Sequence, residues 1–235
     1  MFPISDVIPS RTRPVVTMAV IALNTLVFLY QFTLSDDDLQ RLVYAAGVVP
    51  GAFSLPDLVT SMFLHADLVH FLGNMVFLWI FGDNVEDRLG HGRYVLFYLT
   101  AGSAAAMAQI VAAPLSDSPI IGASGAIAAI MGAYFVLYPQ SRVLTAVFLV
   151  IFLDVIEVPA VFFLGVWFLL QLVHASMTPG DGIAFWAHAG GFVVGLVAGG
   201  WLRYRDRTLR HYWVRTERDR HETQGTRETG KQSPS

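Results

Sequence analysis

Ser124 and His188 each stand near the start of a long apolar stretch, within Gly122-Ala-Ser124-Gly125 and Ala187-His188-Ala-Gly-Gly191. An unpaired polar side chain in hydrocarbon costs several kcal/mol, so those that persist there tend to have a task. A serine becomes an effective nucleophile when a base lies within hydrogen-bond reach, and histidine is the usual base. The first turn of a helix leaves backbone N–H groups without partners, so Ser124 near such a start has donors beside it for a developing oxyanion. Gly122 and Gly125 allow a tight entry and close approach of a substrate backbone. His70 and Asn74 are four residues apart, hence on one helix face, and both can donate hydrogen bonds. They suit an oxyanion hole, where one donor is typically worth about 3–4 kcal/mol of barrier. His65 falls on the preceding loop, which its imidazole is expected to brace by hydrogen bonds.

Composition narrows the alternatives. Of 235 residues, 54% are hydrophobic and 14% charged, and the mean hydropathy is +0.55. A soluble domain of this size could not hide so much apolar surface, so an integral membrane protein is expected, with the lipid bilayer as its surroundings and no nucleic-acid partner. The absence of cysteine excludes disulfides, thiol catalysis and thiolate metal sites. The only lysine is Lys231, which excludes a Ser–Lys dyad, and no His-Glu-x-x-His is present. We expect no metal and no cofactor.

Those residues need helices to hold them. A span takes about 20 residues, with a practical minimum near 17. Segments 15–32, 94–113, 120–138 and 184–202 qualify, and 68–81 does if it starts near His65. The first of these is too long for a signal-peptide core and lacks a small-residue cleavage site, so it reads as a retained helix. Residues 158–173 make the remaining span. The run 143–156 is too short to cross and reads as interfacial or re-entrant. The expected architecture is an all-α, six-helix membrane domain over 15–202. A cytoplasmic segment (1–14) precedes it and a polar, disordered cytoplasmic tail (203–235) follows. With both termini inside, every Lys and Arg except Arg41 lies on the inner side, as the positive-inside bias requires. A seventh helix would break that pattern. In the six-helix topology Ser124 and His188 each lie about four residues into a helix entering from outside, so both fall in one outer-leaflet layer. Gly191, Gly195 and Gly199 recur at four-residue spacing and read as a helix-packing stripe.

The set His65-Ala-Asp-Leu-Val-His70-Phe-Leu-Gly-Asn74, Gly122-Ala-Ser124-Gly125 and Ala187-His188-x-x-Gly191-x-x-x-Gly195 resembles the rhomboid family of intramembrane serine proteases. The stretch Gly82-Asp-Asn-Val-Glu86-Asp-Arg-Leu-Gly90 resembles the family's loop after its second helix, which makes Glu86 a supporting residue. The likeness runs from about Gly47 to Gly199. It implies a dyad of Ser124 as nucleophile and His188 as base. It also implies an oxyanion hole of His70, Asn74 and the Ser124 backbone N–H. The implied reaction is hydrolysis of peptide bonds in or near transmembrane helices of other proteins, on the extracytoplasmic side of a bacterial inner membrane. Two departures stand out. Ala128 occupies the position where some members stack an aromatic on the histidine, and no Trp-Arg pair precedes His65. The alternatives are a proteolytically inactive relative that binds transmembrane clients, and a transporter using His65, His70 and His188 as a proton relay.

Overall fold

The structure, a computed structural model, describes residues 2–149, 152–177 and 184–205. It is mostly helical. Helix α1 (Val15–Gln31) is followed by two short elements, α2 (Asp36–Ala46) and α3 (Asp57–Thr60), and a 3-10 turn at Ser61–Phe63. Then come α4 (Leu68–Leu89), α5 (His91–Ala112), α6 (Ser124–Leu137), α7 (Ala160–Met177) and α8 (Phe185–Arg205). Helices α4, α5 and α8 are long and apolar enough to cross a membrane unaided, whereas the apolar stretches of α1, α6 and α7 are shorter.

Helix α6 lies at the centre and is buried almost all round, from Gly125 to Tyr134. Its neighbours bury one face and leave large apolar side chains on the other. Leu26 and Leu29 on α1, Phe162 and Leu169 on α7, and Val197 and Trp201 on α8 are all exposed. An apolar exterior around an apolar core is the pattern of a protein solvated by lipid.

Helices α6 and α8 run parallel and nearly touch. A Cβ added to Gly191, Gly195 or Gly199 would collide in turn with the carbonyl oxygens of Gly125, Ala129 and Ala133. The glycine stripe therefore does pack helices. Helix α4 runs the same way, with the His70 ring against Gly122, Phe81 against Tyr134 and the Asn84 carbonyl accepting from Tyr138 at 3.0 Å. So α4, α6 and α8 all begin at one end of the bundle.

The all-α expectation is corrected by a three-stranded antiparallel sheet. Strands β1 (Phe2–Asp6), β2 (Arg142–Leu149) and β3 (Phe152–Pro159) pair in the order β1-β2-β3. The run 143–156 is a β-hairpin, with Val143 opposite Val158 and Thr145 opposite Ile156. β-Branched residues at alternating positions favour the pleat, and Val143 and Thr145 turn one face into the core. The segment 1–14, read as a separate cytoplasmic piece, supplies the third strand. Residues 206–235, most of the expected tail, lie outside the described residues.

Two further corrections concern helix ends. Helix α4 continues to Leu89, so the Gly82–Gly90 stretch is helical rather than loop, and Gly90 (φ +76°) makes the turn into α5. Helix α6 begins at Ser124, not near Ile120, because Gly122 (φ +114°) interrupts the chain just before it. Ile120 instead pairs with Val48.

Candidate active site

Starting α6 at Ser124 places its side chain at the mouth of the helix. The N–H groups of Ser124, Gly125 and Ala126 precede the first intrahelical bond, Ile127 N–H to the Ala123 carbonyl at 3.0 Å. The loop before it is held by Gly122 N–H donating to the Ser61 carbonyl at 2.8 Å. His188 is in the first turn of α8, and its Nε2 lies 2.7 Å from Ser124 Oγ. The two residues singled out from sequence, 64 positions apart, thus form a hydrogen-bonded pair.

Asp67 caps α4, its Oδ1 accepting from His70 N–H at 2.8 Å, which fixes the turn that carries His70 and Asn74. His70 Nδ1 faces the Ala66 N–H at 3.4 Å. That leaves Nε2 as the position for the ring proton. A Cβ on Gly122 would sit 2.8 Å from that Nε2, so the bare glycine makes room for the ring. Asn74 Nδ2 donates to the His70 carbonyl at 2.8 Å; an amide carries a second hydrogen, free to face outward. A cavity of ≈ 200 Å³ joins these groups, lined by His70, Asn74, Ser124, Trp167, Gln171 and His188. Behind Ser124 lies a smaller space of ≈ 20 Å³ beside Ser61 and Gly122, room for about one water.

His65 braces its loop through its backbone, not its ring. The Gln31 side chain donates to the His65 carbonyl and accepts from its N–H, both at 3.0 Å. The imidazole is buried edge-on against Phe28, Phe71 and His70, and among the described residues its ring nitrogens meet no hydrogen-bond partner. Glu86 supports a different part of the molecule. It stands twelve residues beyond Asn74 on α4, about 18 Å along the axis. Its carboxylate accepts from Val16 N–H, Thr17 N–H and the Thr17 hydroxyl at 2.7–2.8 Å, with His91 Nδ1 at 2.6 Å. It therefore caps α1, whose own N-cap, Pro14, has no capping side chain. Gly125 serves close packing: a Cβ there would meet Ala105 Cβ at 2.7 Å.

Two residues that sequence reading missed complete the surroundings of His188. Gln109 on α5 caps α8, its Oε1 accepting from Trp186 and Ala187 N–H at 3.0 and 3.3 Å. Gln171 on α7 places Oε1 2.8 Å from His188 Nδ1. Ala128 offers the imidazole no aromatic, and Trp167 and Phe185 flank it, with ring centroids at 6.0 and 6.3 Å. Gln171 was visible as the one amide in a largely apolar helix, the kind of residue that signals a partner. Among the described residues no group of His, Asp and Glu is placed to hold a metal.

The arrangement is a serine hydroxyl beside an imidazole at a helix N-terminus, with two hydrogen-bond donors across a cavity. Comparison with known proteins points the same way. The Rhomboid domain profile matches residues 52–205. The rhomboid protease GluP of Bacillus subtilis is 41% identical over 76 residues, covering 32% of this chain and 14% of that protein. The mouse presenilin-associated rhomboid-like protein, mitochondrial, is 33% identical over 97 residues, 40% of this chain and 26% of its own. RHOMBOID-like protein 12, mitochondrial, of Arabidopsis thaliana is 30% identical over 168 residues, 64% of this chain and 47% of its own. The chain thus spans less than half the length of each of these relatives. Its motifs, its helical arrangement and the profile covering most of its length agree: this chain belongs to the rhomboid family.

Proposed function

We propose that this protein is an intramembrane serine endopeptidase that cleaves peptide bonds in or beside transmembrane helices of other proteins. The observation that carries this reading is the 2.7 Å contact between Ser124 Oγ and His188 Nε2, at a cavity also lined by His70 and Asn74. In the reaction, His188 takes the proton of the Ser124 hydroxyl as Oγ attacks the scissile carbonyl. The oxyanion is held by the Ser124 N–H, His70 Nε2–H and the Asn74 amide. His188 then protonates the leaving amine, and water, activated by the same imidazole, releases the acyl chain from Ser124.

In our reading α1, α4, α5, α6, α7 and α8 are six spans of one membrane domain over residues 15–202, flanked by the inner segment 1–14 and the tail 203–235. All the basic residues but Arg41 face the cytoplasm of a bacterial cell, and the starts of α4, α6 and α8 face outward. The scissile segment must leave its helix, because an intact helix hides its carbonyls in i→i+4 bonds. Small or helix-breaking residues near the cut are therefore favoured. Entry is lateral, between α4 and α7, which meet through the rings of Phe77 and Phe163.

The test is cleavage of a panel of single-span substrates in proteoliposomes, with cut sites read by mass spectrometry. The proposal predicts cuts near the outer membrane boundary that vanish in Ser124→Ala. Intact substrates that bind equally well to wild type and Ser124→Ala would instead identify a client-binding relative without protease activity.

A further inference from the structure

The dyad leaves one nitrogen of His188 unaccounted for, and the fold supplies its partner from a separate helix. Nδ1 lies 2.8 Å from Gln171 Oε1. A carbonyl oxygen only accepts, so this contact requires the proton on Nδ1 and leaves Nε2 with the lone pair that faces Ser124. With the amide in this orientation, the opposite tautomer would set Nδ1 and Oε1 lone pair to lone pair, and would turn an N–H toward the serine hydroxyl. We propose that Gln171 is a positioning residue for His188: it selects the tautomer able to take the serine proton and steadies the imidazolium formed in the reaction. The inference rests on the serine-protease reading above and goes beyond its two-residue dyad.

Two more observations bear on it. The indole that flanks the ring, Trp167, comes from α7, as Gln171 does. Helix α7 also borders the proposed entry route through Phe163. Whatever displaces α7 to admit a substrate therefore breaks the Nδ1 contact, and its return restores the base. Among the described residues the titratable groups facing His188 are His70 on α4 and, across the Phe185 ring, His174 on α7. Among those residues no carboxylate is seen to face the His188 ring.

Two variants separate positioning from packing. Gln171→Met keeps an unbranched chain of similar length and removes the acceptor; Gln171→Glu keeps the acceptor and adds charge. Fluorophosphonate labelling rates would be followed from pH 5 to 9 in detergent, alongside ¹⁵N-histidine spectra, with His188→Ala used to identify the His188 signals. Expected for Gln171→Met is a loss of roughly 10- to 100-fold in labelling rate and a mixed tautomer at His188. For Gln171→Glu, labelling is retained above neutrality and the acid limb moves up by about one pH unit or more, because a carboxylate favours the protonated ring. The proposal is overturned if Gln171→Met keeps wild-type tautomer populations, or if both variants lose rate equally with an unmoved pH profile. The spectra report on His188 whether or not the serine reacts. A failure of wild type to label therefore counts against the protease reading alone.

Discussion

At the scale of single residues, the site depends on groups that have no substitute nearby. Gly122 combines a φ of +114° with a neighbour, the His70 ring, where its side chain would be. Gly122→Ala should therefore push His70 out of the cavity and strain the entry to α6 by about 1–2 kcal/mol. We expect labelling of Ser124 to fall about 100-fold while the unfolding temperature drops only a few degrees; an unchanged labelling rate would remove His70 from the oxyanion role. His65 shows the limit of reading roles from residue type. Its imidazole was expected to brace the loop, but the bracing belongs to its main chain and to Gln31. Gln31, Gln109 and Gln171 were not legible as a set. Each makes its contact with a residue far away in the chain, and a lone polar residue in an apolar run does not name its partner.

At the scale of elements, the bundle stands on close helix contact at one face and caps supplied from a distance. Gly195→Val would drive a side chain into the Ala129 carbonyl. It should cost about 3 kcal/mol or more, seen as a lower unfolding midpoint in detergent; a neutral effect would mean that α6 and α8 part more easily than their packing implies. Glu86→Ala removes the acceptor of the Val16 and Thr17 N–H groups at the start of α1, while the Thr17 hydroxyl keeps Tyr94 as a partner. A loss of about 2–4 kcal/mol is expected, with the labelling rate per folded molecule unchanged, since the site is far along α4. Helices α1 and α4 to α8 were legible because apolar runs and charges mark them plainly, whereas α2 and α3 fall where no helix was expected. The hairpin was not legible, because an apolar run of this length also suits a short interfacial segment, and the strand that its alternating β-branched residues pair with, β1, lies far away in the chain. That strand is held by Asp6, whose carboxylate accepts from Tyr134 at 2.6 Å and Asn84 at 3.0 Å. Burial lifts the Asp6 carboxyl from 3.8 to about 7, with Asp83 adding to the rise and the Tyr134 hydroxyl opposing it. Because the folded value is the higher one, the fold favours the protonated form. Its contribution is full below about pH 4 and is lost as pH rises toward 7. Asp6→Asn should flatten the fall in unfolding temperature between pH 4.5 and 8; a wild-type slope would place its origin elsewhere.

At the scale of the whole molecule, three parallel helices bring Ser124, His188, His70 and Asn74 to one end, while the sheet and Glu86 brace the other. The motifs and the common direction of these helices were legible in the sequence. The sequence also placed Ser124 and His188 at one level, but not their contact, which depends on where Gly122 lets α6 begin and on how closely Gly191 lets α8 approach. A crosslink between positions 77 and 163, using cysteines introduced into a chain that has none, should stop cleavage of transmembrane substrates yet spare labelling by a small phosphonate. Equal loss of both would argue against lateral entry. The central claim is that His188 activates Ser124. It is tested most directly by treating purified protein with a fluorophosphonate and comparing wild type with Ser124→Ala and His188→Ala. Expected are stoichiometric labelling of wild type at Ser124, none in Ser124→Ala and a reaction slower by about a hundredfold or more in His188→Ala. Folded wild type that fails to label, or labels as fast without His188, would contradict it.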